Sequence, residues 1–103
     1  MGYELNITPL AHQDLDEILT YISTELLSPG AAADFADQVE ACHEHLKAHP
    51  FMFAQCNDPG LAFRGYRRAL VKNYLIVYKV DEEKRLVHIH RVFHGTRNYV
   101  ELI

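Results

Sequence analysis

Positive charge is nearly absent from the first 63 residues, where Lys47 stands alone against ten Asp and Glu, a net of −9. Cysteine is scarce as well. Cys42 and Cys56 are the only two, one in a predicted helix and one in a predicted loop, which is no disulfide framework, so both are expected as reduced thiols. No apolar run approaches the ~18 residues that a membrane-spanning helix needs, and no basic segment followed by an apolar stretch opens the chain. A soluble protein retained in the cytoplasm is expected, with no membrane partner. Internal repeats, low-complexity segments, glycine-rich phosphate loops, nucleophile elbows and metalloprotease motifs are all missing. No cofactor is expected.

What is present suits one folded unit. A chain of 103 residues with 49% hydrophobic and 23% charged residues is a globular composition, long enough for a single domain spanning 1–103 and too short for two. Its net charge of −4 conceals a partition, because residues 64–103 hold nine bases against four acids, a net of +5. Such an arrangement steers an anionic partner, nucleic acid or acidic protein segment, to one face. It also lets two layers of the same molecule attract each other, and sequence alone leaves both readings open.

Tyr3, Leu5 and Ile7 alternate with polar residues, the period of a half-buried strand. Thr8-Pro9 then pairs a capping oxygen with a proline suited to the first helical position. Ala11, Leu15, Ile18, Ile22 and Leu26, with Leu19 alongside, form the apolar face of a first helix; Asp14, Asp16 and Glu17 read as its solvated, dipole-complementing side. Ser28-Pro29 repeats the start signal. Ala32, Phe35, Ala36, Val39, Cys42 and Leu46 line a second helix that Pro50 ends. The segment 51–63, with Asn57-Asp58-Pro59-Gly60 inside it, reads as a loop pinned by Phe51, Phe53 or Phe63. From Gly65 to Arg97, β-branched and aromatic runs separated by polar turns predict three antiparallel strands in a meander. The expected fold is α+β, with a two-helix hairpin packed on one face of the sheet.

Two clusters bear on chemistry. Cys42, His45 and His49 recur on one side of the second helix at a spacing open to zinc, and equally to a core cysteine with helix-end histidines; no metal site is assigned. In the last strand, His88 and His90 share a face by period 2, with His94 joining them if the strand runs that far. Imidazoles there, with Arg67, Arg68, Arg91 and Arg97, have the groups for proton transfer and charge stabilisation at a phosphate, as RNA cleavage requires. Cross-strand packing with solvated arginines explains the same residues. Tyr99, Val100, Leu102 and Ile103 make an apolar end that either meets a partner or docks on its own core.

In this order, the opening strand, the acidic hairpin ending at His49-Pro50, Gly65-Tyr66-Arg67-Arg68, the Tyr74–Val80 strand and Arg91-Val92-Phe93-His94-Gly95-Thr96-Arg97 resemble the RelE/ParE superfamily of bacterial type II toxin-antitoxin toxins, and the ParE branch most. The likeness covers nearly the whole chain. It implies a growth-inhibiting toxin neutralised by a cognate, ParD-like antitoxin that wraps its helices and sheet. ParE-like members are associated with poisoning DNA gyrase, and RelE-like members with cutting messenger RNA on the ribosome. Where RelE-type enzymes carry an arginine early in the third strand this chain has Leu75, and Ala69, Leu70 and Val71 dilute the basic strand. Asn98 stands where ParE-like chains often have an acid. The resemblance therefore implies a target-binding surface of Arg67, Arg68, Arg91, His94, Arg97 and Tyr99. If the chain were a ribonuclease, His94, Arg97, Arg67 and Tyr99 would be the catalytic set. Antitoxin contacts are expected at Leu19, Ile22, Tyr66, Val100 and Leu102.

Overall fold

A computed structural model describes residues 2–97 and 100–103. The alternating start forms strand β1, Glu4–Ile7, and Thr8 ends it by capping helix α1, Pro9–Thr20, its hydroxyl accepting the Ala11 amide. The helix then widens into a π turn, Tyr21–Glu25, where the Leu26 amide reaches back to the Tyr21 carbonyl at 3.2 Å. Ser28 caps helix α2, Pro29–Ala48, which stops at His49 with His45 and Lys47 in its last turn. Both start signals act as side-chain acceptors for amides that have no partner within the helix. A short helix α3, Pro59–Phe63, capped by Asp58, occupies the segment read from sequence as a loop. Of the phenylalanines expected to pin that segment, Phe53 packs against the core, edge-on to Tyr78 at 6.5 Å, whereas Phe51 is 46% and Phe63 92% exposed; Cys56 and Leu61 are buried as well.

Strands β2 (Tyr66–Val71), β3 (Tyr74–Asp81) and β4 (Leu86–His94) form the expected meander. Strand β1 adds a fourth member by pairing parallel to β4, giving the order β1-β4-β3-β2. Phe35, Val39, Cys42 and Leu46 of α2 and Ala11 of α1 pack with Ala69, Ile76, Tyr78, Val87, Ile89 and Val92. Each fully buried large side chain in that layer contributes about 1.5–3 kcal/mol relative to exposure. The Tyr78 hydroxyl, deep in it, donates to the Pro50 carbonyl at 2.8 Å. On the opposite face a smaller cluster of Cys56, Leu61, Tyr66, Val77 and Phe93 is joined by Val100 and Ile103. The sheet is thus sealed on both sides.

Its edges are managed by different means. Strand β1 reaches only as far as Ile7 opposite Ile89, so beyond it, among the described residues, β4 has no strand on the side away from β3. There the Thr8 amide donates to the Ile89 carbonyl, the Thr8 hydroxyl donates to the His90 carbonyl at 2.8 Å, and the Asp14 carboxylate accepts the Val92 amide at 3.0 Å. At the other edge, residues 54–56 bridge to β2 through the Arg68 and Cys56 amides. Buried backbone groups that would otherwise lack partners are accounted for in this way.

Candidate functional site

Alternation along β2 sends its two arginines to opposite faces. Arg67 lies opposite Tyr78 on the helix-packed face, where its Nη1 donates to the Phe53 carbonyl at 2.6 Å and its guanidinium stands 5.1 Å from the Phe51 ring centroid. It braces the chain leaving α2. Arg68, opposite Val77 on the other face, donates from Nη2 to Asn57 Oδ1 at 3.2 Å, while its Nε is buried without a partner.

Arg91 departs further from expectation. Its Nε and Nη2 donate to the two carboxylate oxygens of Asp14 at 2.7 and 3.0 Å, and that bidentate bond holds the guanidinium pKa above its ordinary value. Asp14, read as part of a solvated helix face, is only 8% exposed. Arg91 is therefore a structural clamp between α1 and β4, not part of a free basic surface. Lys72 of the β2–β3 turn likewise pairs with Asp34 of α2. The basic sheet and acidic helices are in part neutralising each other.

His94 and Arg97 do come together. With Asp14, Glu17, Ile18, Tyr74, Val92 and Phe93 they line a shallow cavity of about 150 Å³. His94 Nδ1 lies 2.7 Å from the Thr96 hydroxyl, its ring is edge-on to Tyr74 at 5.3 Å, and the Arg97 guanidinium sits 5.7 Å from the Phe93 centroid. Arg67 does not join them. It is paired with Tyr78 and His94 with Tyr74, four residues or roughly 13 Å apart along the strand, too far to serve one phosphate. Tyr99 lies outside the described residues.

His94 also fails to share a face with the other strand histidines. A bulge between Val77 and Tyr78 shifts the β3–β4 register, so His88 and His90 face the side away from the helices while His94, paired with Tyr74, points to theirs. His88 and His90 instead gather with Lys79, Arg64 and Tyr66, a group that the period-2 reading identified only in part. Burial, followed by His88, Lys79 and Arg64, pushes the His90 pKa down.

The centre of the outer face is apolar. Leu75 is buried between Leu70 of β2 and Phe93 of β4, and Val77, Phe93 and Tyr66 continue the patch under Val100 and Ile103. Among the residues expected to meet an antitoxin, Ile22 at 7% and Tyr66 at 6% exposure are core positions, filled by their own neighbours. Leu19 and Val100 are half-buried against the two clusters, and Leu102 falls in the terminal turn Val100–Leu102. The exposed large apolar groups of the hairpin are Leu10 near its start and Tyr21, Leu26 and Leu27 at its tip. Cys42 is turned into the core, where burial pushes its thiol up to about 11, away from the thiolate that zinc requires. His45 and His49 face solvent.

This arrangement can be set beside known proteins. Residues 5–99 match the family model described as the ParE toxin of the type II toxin-antitoxin system, parDE. The chain belongs to that family. The toxin-antitoxin complex RelBE2 from Mycobacterium tuberculosis contains a similar chain, at 26% identity and TM-score 0.65, covering 91% of this chain and 99% of that one. The chromosomal ParDE system of P. aeruginosa shows the same fold at 19% identity and TM-score 0.70, covering 89% and 95%. A mutant of the E. coli toxin RelE in the free state shares it at 16% identity and TM-score 0.68, covering 99% and 93%. No curated protein matches in sequence. This ParE-family toxin thus carries the superfamily's α+β fold, and no helix among its described residues is long and apolar enough to cross a membrane.

Proposed function

We propose that this ParE-family toxin arrests growth by binding DNA gyrase, and that a cognate ParD-like antitoxin neutralises it. The observation that carries the reading is the apolar centre of the outer face: Leu75, Val77 and Phe93 occupy the sheet where a phosphate-cleaving site would need cations and proton-transfer groups. Arg91 is held by Asp14, and Arg67 turns to the other face. Buried under Val100 and Ile103, that centre presents no cation to a reacting phosphodiester, and the exposed His94 and Arg97 at the end of the sheet remain for contact with a protein target. The antitoxin is expected over the hairpin, where Tyr21, Leu26 and Leu27 stay exposed beside half-buried Leu19.

A second reading, a ribosome-dependent endoribonuclease, draws on the shared cavity of His94 and Arg97. The two separate in one experiment. Purified toxin should inhibit gyrase supercoiling or trap cleaved DNA, with Arg97→Ala weakening the effect. Inhibition of translation with gyrase untouched, and message cuts lost in His94→Ala, would establish the nuclease instead. No arrest on induction without the antitoxin would leave a protein-binding module of the same fold.

A further inference from the structure

A cleft lies at the far end of the sheet from His94 and Arg97. It has a volume of about 630 Å³, within the range of small-molecule sites, and is lined by Thr8, Lys79, Val80, Asp81, Glu82, Glu83, His88 and His90. One wall is cationic and gathered around a single ring. Lys79 Nζ stands 5.2 Å from the Tyr66 centroid, the Arg64 guanidinium 5.1 Å, and the His90 ring meets Tyr66 edge-on at 5.1 Å, with His88 a further 6.4 Å along. Among the described residues neither Lys79 nor Arg64 forms an ion pair. Elsewhere on this sheet Arg91 and Lys72 each found a carboxylate; here like charges are held together without one.

Beyond it the cleft is lined by the turn between β3 and β4, where Asp81, Glu82 and Glu83 follow one another. Asn6 reinforces the donor character of the cationic wall. Its Nδ2 lies 2.9 Å from His88 Nδ1; donation there places the ring proton on Nε2, free to bond a ligand. A surface with clustered donors at one end and carboxylates at the other repels a long polyanion at its acidic end. It suits a compact molecule that offers an anion to the first end and hydroxyl groups to the second.

We propose that this cleft binds a small phosphate ester of the nucleotide class, with Lys79, His88 and His90 around the phosphate and the Asp81–Glu83 turn accepting the sugar hydroxyls. The phosphate supplies the missing counter-charge through charge-assisted bonds, and sugar hydroxyls are the donors that acidic side chains recognise in nucleotide sites. The site goes beyond the gyrase reading and does not depend on it, since none of its residues belongs to the surface assigned to the target.

The test is an amide-resonance titration of the purified chain with AMP, inorganic phosphate, adenosine and an eight-residue thymidine oligonucleotide. AMP should move the signals of Lys79, His88 and His90 and bind more tightly than phosphate or adenosine. Lys79→Met should weaken AMP about tenfold, the loss of one charge-assisted bond. A Glu82→Gln, Glu83→Gln pair should weaken AMP while leaving phosphate unchanged. All are exposed or half-exposed positions, and an unchanged spectrum of the core amides shows that each variant folds. No response at millimolar AMP, undiminished binding by Lys79→Met, or tighter binding of the oligonucleotide than of AMP would each overturn the proposal.

Discussion

Asp14 is one carboxylate answering three donors, the Nε and Nη2 of Arg91 and the backbone amide of Val92. Removing it strands a half-buried cation and an edge amide together. Asp14→Ala is therefore expected to cost about 3 kcal/mol, the lower end for breaking a buried pair, and Asp14→Asn less; urea unfolding checks both. That role was not legible in the sequence, since an acid early in a helix explains itself by the dipole and its partner lies 77 residues away. His43 supplies a second residue-scale prediction. Burial pushes its pKa down, and its Nε2 is enclosed without a hydrogen-bond partner. The unfolded chain, with the ordinary histidine value of about 6.5, then binds more protons than the folded one below that pH. Stability is full above about 6.5 and falls as pH drops toward the lower folded value, with His90 adding in the same direction. His43→Gln should flatten that acid limb in pH-dependent denaturation, and an unchanged slope would refute the assignment.

Among the elements, the caps and strand periods were plain to read: Thr8-Pro9 and Ser28-Pro29 start their helices where the side-chain oxygen says they should. The bulge opposite Val77 and Tyr78 was not, because one extra residue in a strand leaves no compositional mark, yet it turns His94 away from His88 and His90. Helix α3 escaped notice for a related reason. Five residues beginning Pro-Gly resemble a turn until Asp58 is seen accepting the Leu61 amide. The hairpin turn between β2 and β3 gives a prediction at this scale. Lys72 holds a φ of 53°, a left-handed conformation that costs a side-chain-bearing residue roughly 1–2 kcal/mol, against an exposed ion pair with Asp34 worth at most about 1 kcal/mol. Lys72→Gly should raise the thermal midpoint, whereas Asp34→Ala should leave it nearly unchanged.

For the molecule as a whole, the charge partition read from composition is real but partly spent internally, through Asp14 with Arg91 and Asp34 with Lys72. What faces outward is more local: exposed His94 and Arg97 at one end of the sheet, half-buried Arg68 on its outer face, and a separate basic cluster near Tyr66. The apolar tip of the hairpin, with Leu27 82% exposed, supports a prediction for the antitoxin. Leu26→Glu with Leu27→Glu should keep the fold and lower antitoxin affinity by about tenfold or more, as loss of apolar anchors does; calorimetry on the purified pair measures it, and unchanged affinity would place the antitoxin elsewhere. The pairing of β1 with β4 carries a consequence in time. Among the described residues the first strand made pairs only with the last one made, and the carboxylate of α1 waits for the same late segment. A growing chain can form its helices early, but the sheet closes only after β4 has left the exit tunnel. A delay between synthesis and the finished toxin is thus built into the order of the strands, and the hairpin proposed to take the antitoxin would exist before the toxin is complete.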